Sequence, residues 1–163
     1  MRTFLGKLFV FYEKVKENCK SQYNTRILFH GTDPGKGFIG GGVKFKNPDK
    51  IYVGKDTYIN GGMLFAEDGT ITIGKNCLIS YNVHLRTDVH NYIRKDLLIN
   101  EQGNKSNDII VEDDVWIGYG AQIMSGVKIA KGCVIGAGAV VTHNTEEYGV
   151  YVGVPAKRIK SRR

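Results

Sequence analysis

Apolar positions along the chain follow two different periods. Between residues 2 and 20, Phe4, Leu8, Phe11, Tyr12, Val15 and Cys19 recur at helical spacing, while Lys7, Glu13, Lys14, Lys16 and Glu17 fall elsewhere. This predicts an amphipathic N-terminal helix within residues 1–24 whose apolar stripe needs a cover. Its polar side carries both signs of charge, which favours packing on the same chain or a sister subunit over a membrane surface. From Val111 onward the period is six: Val111, Ile117, Ile123, Ile129, Ile135 and Val141. Four residues after these positions stand Val115, Ala121, Val127, Cys133 and Ala139, and three residues after them stand Asp114, Gly120, Gly126, Gly132, Gly138 and Asn144. Gly, Asn and Asp are the residues that tolerate a left-handed backbone.

A strand alternates every two residues and an α-helix turns every 3.6, so neither sustains a period of six. A chain coiling as a three-faced prism does, with one hexad for each face and corner. The large residue of each hexad points inward and the small one sits in the crowded corner. The earlier half repeats with longer coils: Ile39, Phe45, Val53, Ile59, Phe65, Ile73, Ile79 and Leu85 are the inward positions. Two longer steps hold Asn47-Pro48-Asp49 and Asp68-Gly69, which read as turns. Asp56, Gly62, Asn76, Asn82 and Asp88 are the predicted corners, and Val43, Met63, Cys77, Val83 and Val89 the second inward positions. Residues 91–108 fit no hexad and are predicted as one long protruding loop, a feature that usually carries function.

Composition agrees with the period. The 163 residues include 21 Gly, and counting gives 16 Ile and 15 Val against 8 Leu, which suits short strands and tight turns and excludes a helical bundle. Three cysteines make no disulfide framework and point to a reducing compartment; Cys77 and Cys133 fall on core positions. No apolar run approaches the roughly 18 residues of a membrane helix. The start, Met1 to Val10, is interrupted by Lys7 and lacks a small-residue cleavage site, so no secretory leader is expected. A cytoplasmic location follows, with a peripheral place at the inner face of the membrane as a second option. Net charge is +7, without a dense basic stripe or a nucleic-acid motif, so a phosphorylated small molecule is preferred over nucleic acid.

The hexads resemble the hexapeptide-repeat proteins, which form left-handed parallel β-helices. The resemblance implies an all-β fold of about five coils with a short N-terminal α-helix. Asp113-Asp114-Val115-Trp116-Ile117-Gly118, Ile135-Gly136-Ala137-Gly138-Ala139-Val140-Val141-Thr142 and Gly153-Val154-Pro155-Ala156-Lys157 narrow it. They are similar to the acetyl-CoA-dependent O-acetyltransferase branch, that of the galactoside, maltose and polysaccharide acetyltransferases. The implied layout is a β-helix domain over 25–163 that ends in a CoA-contacting tail, 148–163. The implied assembly is a homotrimer with active sites between subunits. The implied acceptor is a hydroxyl of a sugar or surface polysaccharide.

Residue by residue, the resemblance makes His90, directly before the loop, the general base; without it, His90 reads as a polar residue closing a coil. A neutral imidazole can take the proton of a sugar hydroxyl as its oxygen attacks a thioester. Asn60 matches an acceptor contact, with a strand-end role as the other reading, and Trp116 matches a cleft wall, with a subunit interface as the other. Gly118 and Tyr119 match positions along the pantetheine arm, and the Tyr119 N–H suits a thioester oxyanion. Ala137, Thr142 and His143 match the cofactor groove, and Lys157 and Lys160 the nucleotide phosphates. His143 departs from the usual Lys, and Thr145-Glu146-Glu147 replaces a proline-containing turn, which puts the local cofactor fit in question. Arg162 and Arg163 read as a solvated tail, His84 as an outward or cleft-lining residue, and His30 as a turn residue, with an acceptor contact from a neighbouring subunit as its other reading. No Cys or Ser stands beside His90 as a nucleophile, so direct attack without an acyl-enzyme is expected.

A zinc-dependent carbonic anhydrase on the same fold needs three converging histidines; only His84 and His90 are near each other, so no metal site is expected. An N-acetyltransferase acting on an amino-sugar nucleotide and a non-catalytic scaffold remain as alternatives.

Overall fold

Two-residue strands separated by left-handed corners give the chain its shape. The structure is a computed structural model that describes residues 2–163, with side chains from Leu5 onward. Helix α1 (Arg2–Leu28) leads into a parallel β-helix with three faces. The first face stacks Phe38–Ile39, Tyr58–Ile59, Leu78–Ile79, Trp116–Ile117, Val134–Ile135 and Gly149–Val152. The second stacks Val43–Lys46, Gly62–Phe65, Val83–Arg86, Gln122–Ile123 and Val140–Val141, and the third Ile51–Val53, Ile71–Ile73, Ile109–Val111 and Lys128–Ile129. The first face therefore marks six turns, one more than the hexad count predicts.

The predicted periods set the register. Trp116 pairs with Val134 and Gln122 with Val140, 18 residues apart, whereas Ile39, Ile59 and Ile79 pair in steps of 20. Ile39, Ile59, Ile79, Ile117 and Ile135 form one buried column inside the first face. Each such side chain contributes roughly 1.5–3 kcal/mol by leaving water. Asp56, Asn76, Asn82, Asp114, Gly120, Gly126, Gly132 and Gly138 are all corners with positive φ. Thr57 caps one corner from inside: its hydroxyl donates to Gly74 O and accepts from the Cys77 N–H. Cys77 and Cys133 are buried as predicted, and burial pushes the Cys77 thiol up.

Helix α1 extends to Leu28, beyond the predicted end at 24, because Leu28 and Phe29 plug the open end of the prism. Ser21 Oγ donates to Ile39 O at 2.7 Å and Asn24 Nδ2 to Gly40 O at 2.9 Å, fixing the helix on the first turn. The predicted stripe is exposed from Leu8 to Val15; the side chain of Phe4 lies outside the described residues. His30 takes a left-handed turn, and its ring Nε2 lies 2.8 Å from Ile51 O.

Several predicted positions are corrected. Leu64, not Phe65, points inward, in register with Phe45 and Leu85. The hexad is one residue short there. Gly62, at φ 126°, takes the place predicted for Met63 and lies so close to Val83 that a Cβ would meet Val83 O at 2.1 Å. Phe45 and Val53 are only partly buried against the core. Asp88 is no corner: Asp88–His90 leaves the coil as a strand and pairs antiparallel with Asn104–Ser106. Val89 rides on this ribbon and is half-buried. The predicted loop is thus an excursion from Asp88, with a two-stranded base and a short 3-10 turn at Ile99–Glu101. Asn144 also lacks a left-handed backbone; its side chain instead accepts the Lys128 N–H at 2.8 Å.

The corrected register predicts unequal costs for two adjacent truncations. Leu64→Ala should destabilise the fold by about 3 kcal/mol, and Phe65→Ala by clearly less, as read from urea unfolding midpoints.

Candidate active site

The base of the excursion is built around Thr87, a buried residue at the second corner. Its hydroxyl accepts from the Glu67 N–H at 2.9 Å and from Ser106 Oγ at 3.0 Å, and its carbonyl accepts the Asn107 N–H at 3.0 Å. The two ends of the excursion are therefore tied to each other and to the preceding turn. Beside this knot, Arg86 Nε donates to Asp88 Oδ1 at 2.6 Å and Arg86 Nη2 to Asp88 Oδ2 at 3.0 Å. The guanidinium holds the Asp88 carboxyl below the usual carboxylate range, and burial opposes that shift. His90 stands two residues farther out, exposed, opposite Asn104 on the ribbon. Its place is set by paired backbone rather than by a free loop. Asp88 serves Arg86, in keeping with a structural role.

The other predicted residues divide between two edges of the prism. Asn60, Gly118, Tyr119 and Ala137 share the first corner, where the Asn60 N–H donates to Ile79 O, Gly118 to Ile135 O and Gly138 to Tyr119 O. Gly118 is required by close stacking, since a Cβ there would meet the Ala137 N at 2.8 Å. Asn82 Nδ2 donates to the Tyr119 hydroxyl at 2.7 Å and orients that ring. Trp116 projects from the first face beside this corner, 53% exposed, and shares a groove with Val134, Val150 and Lys160. Thr142 and His143 lie at the second corner, with Thr142 Oγ1 2.8 Å from His143 Nδ1. That is the edge from which the His90 ribbon leaves. His84 is outward, between Met63 and Gln122 on the second face.

The C-terminal tail is ordered differently from the prediction. Lys157–Ser161 folds back antiparallel on Gly149–Val152 and extends the first face. Arg162, though exposed, is not a free tail residue: its Nη1 donates to Asp114 Oδ2 at 2.8 Å and to Gly132 O at 3.0 Å. Arg158 pairs with Glu146, which offsets the acidic turn at 145–147. Among the described residues, Lys157 and Lys160 enter no ion pair, leaving two cations on the added strand, one of them beside Trp116. Sequence reasoning missed the Arg86–Asp88 pair, the Thr87 knot and the anchoring of Arg162. Contacts between distant turns reveal the knot and the Arg162 anchor, and the pairing of Asp88 with Ser106 shows that the chain has left the coil beside Arg86. Among the described residues, no group of three or more His, Cys, Asp or Glu is arranged to hold a metal ion.

Comparison with known proteins gives this geometry a relationship. Residues 108–143 match the family model for the bacterial transferase hexapeptide (six repeats). That stretch of the coil carries the hexapeptide repeat. The structure of a maltose O-acetyltransferase from Clostridium difficile 630 is 31% identical, with TM-score 0.65, over 74% of this chain and 64% of that one. A galactoside acetyltransferase in complex with coenzyme A is 35% identical, with TM-score 0.66, over 73% and 58%. A 2,3,4,5-tetrahydropyridine-2,6-dicarboxylate N-acetyltransferase of Staphylococcus aureus (strain JH9) is 48% identical over 52 residues, 32% of this chain and 22% of that protein. The matched segments of this chain span 22–28% of the length of such curated relatives.

The Arg86–Asp88 pair predicts a pH-dependent contribution to stability. Its folded-state pKa is lowered, so the contribution is full at neutral pH and is lost as pH falls through the folded value. Asp88→Asn should lower the melting temperature at pH 7, and the gap from wild type should begin to narrow only as pH falls below the ordinary carboxylate value of about 4. Melting curves across pH 3–7 check this.

Proposed function

We propose that the protein transfers acetyl from acetyl-CoA to a hydroxyl of a sugar or surface-polysaccharide unit. The observation that carries the reading is the match, over 73% of this chain, to the galactoside acetyltransferase–coenzyme A complex. His90, held exposed on the ribbon, takes the proton of the acceptor hydroxyl as its oxygen attacks the thioester carbonyl. The C–S bond breaks, and the imidazolium returns the proton to the departing thiolate. The products are an O-acetyl ester and free coenzyme A. Gly118, Tyr119, Ala137, Thr142 and His143 border the cosubstrate, and the Tyr119 N–H faces the developing oxyanion. Lys157 and Lys160 meet the nucleotide phosphates. Asn60 and Trp116 contact the acceptor.

The division of these residues between two prism edges supports a homotrimer. A ligand on the first corner and His90 beyond the second face lie around different edges of one chain. A second copy brings such edges face to face. The excursion, which exposes Tyr92, Ile93 and Leu98, has apolar surface for such a contact. This reading places the enzyme in the cytoplasm, where acetyl-CoA is made.

The test is calorimetric titration with acetyl-CoA and its 3′-dephospho analogue, followed by turnover with hydroxyl and amine acceptors. Saturable binding weakened by loss of the 3′-phosphate is expected. His90→Ala should retain that binding and lose about a hundredfold to ten-thousandfold in kcat. Full turnover by His90→Ala overturns the base assignment. Turnover confined to amines transfers the reading to N-acetylation, and absence of acetyl-CoA binding at millimolar ligand leaves a scaffold.

A further inference from the structure

The first half of α1 is an exposed apolar surface that the proposed reaction does not use. The helix is fixed to the coil by one row of residues, Glu17, Ser21, Asn24 and Leu28. The Glu17 carboxylate lies against the Cα of Gly41. Continued toward the N-terminus at 3.6 residues per turn, this row passes through Glu13 and Val10. Val10 is 66% exposed although it lies on the coil side, so the helix has left the coil by that point. The overhang, residues 2–16, is roughly 20 Å long.

The apolar stripe of this overhang lies opposite the docking row. Leu5, Leu8, Phe11, Tyr12 and Val15 fall about half a turn from Glu17 and point away from the coil, each more than 40% exposed. Both acids, Glu13 and Glu17, share the coil-facing row. Lys7 and Lys14 flank the stripe on one side and Lys16 and Lys20 on the other, roughly 60–100° from that row. Docking thus sorts the mixed charge seen in the sequence. Glu17 turns toward the coil, Glu13 pairs with Lys16 Nζ at 3.4 Å, and an aromatic-rich stripe flanked by Lys7, Lys14 and Lys20 remains.

We propose that this overhang lies in the surface of an anionic lipid bilayer, with the stripe among the acyl-chain ends and the lysines on the headgroup phosphates. A helix with this distribution is suited to lie in the interface, since lysine stems reach back to the headgroups while the apolar side chains enter. Charge argues against a second copy as the cover. Two such stripes packed together set Lys7, Lys14 and Lys20 of one helix beside those of the other, with Glu17 of both turned to the coil. Among the described residues no helix is long and apolar enough to cross a membrane, so the contact is peripheral along α1. The inference does not rest on the proposed acetyl transfer.

The experiment is sedimentation of the full-length protein with vesicles of phosphatidylcholine alone or mixed with phosphatidylglycerol, with mass in solution measured by light scattering. Binding to the anionic vesicles only, weakened by salt, is expected. Leu8→Glu with Phe11→Glu should abolish it while mass and acetyl-CoA binding stay unchanged. Lys7→Gln with Lys14→Gln should weaken it roughly thirtyfold. No binding to anionic vesicles at millimolar lipid overturns the proposal, as does equal binding to neutral vesicles. A fall in solution mass for the Leu8→Glu, Phe11→Glu variant also overturns it, since the stripe would then be buried between copies. Acetyl-CoA binding is read separately, so failure here and failure of the enzymatic reading remain distinct.

Discussion

Everything in this molecule depends on successive turns bonding to one another in register. A strand of two residues has almost no stability alone; it persists because the turns above and below supply its backbone partners. That requires each corner to bend the chain by the same angle, and a left-handed residue does so at least cost when it is Gly, Asn or Asp. Asp56, Asn76, Asn82, Asp114 and the four glycines at 120, 126, 132 and 138 are the covalent expression of that requirement. The interior then follows. With the turns aligned, isoleucines 18 or 20 residues apart fall on top of one another and exclude water from a single column.

The same constraint decides where the chain can depart from the coil. The excursion that begins at Asp88 leaves from one corner, and the coil resumes as if uninterrupted, with Ile79 pairing directly with Ile117. Such an insertion is tolerated only if its two ends meet. Thr87, Ser106 and Asn107 close that gap with hydrogen bonds, and the antiparallel ribbon carries the order outward to His90. The His90 imidazole is thereby attached to the rigid coil through paired backbone. At the other end, the C-terminal strand reverses direction to continue the first face, and Arg162 pins it to Asp114 and Gly132.

Much of this was legible in the sequence because the period is local. Hexads, corners and the site of the interruption can be read from residue types a few positions apart. The misread segment is instructive. At 59–64 the chain spends five residues where six were expected, and Leu64 replaces Phe65 inside. The cause is the contact between Gly62 and Val83, which lies in the next turn and leaves no mark in the local pattern. The Arg86–Asp88 pair was missed because Asp88 at a corner spacing resembles every other corner Asp. Only the pairing with Ser106 shows that the chain has left the coil there. Arg162 was misjudged because its partners precede it by 48 and 30 residues.

The sequence by itself determined the coil, its three faces, its buried column and the segment thrown out of it. These depend on residue type at fixed short spacing, and a β-helix translates such spacing directly into position. Tertiary structure alone decided which candidate residues are neighbours. It put Trp116 and Lys160 in one groove, sent His90 to a different edge from Gly118 and Tyr119, and turned Glu17 of α1 toward the coil. The physical reason is that direction around a prism edge, or around a docked helix, is set by contacts between turns far apart in sequence.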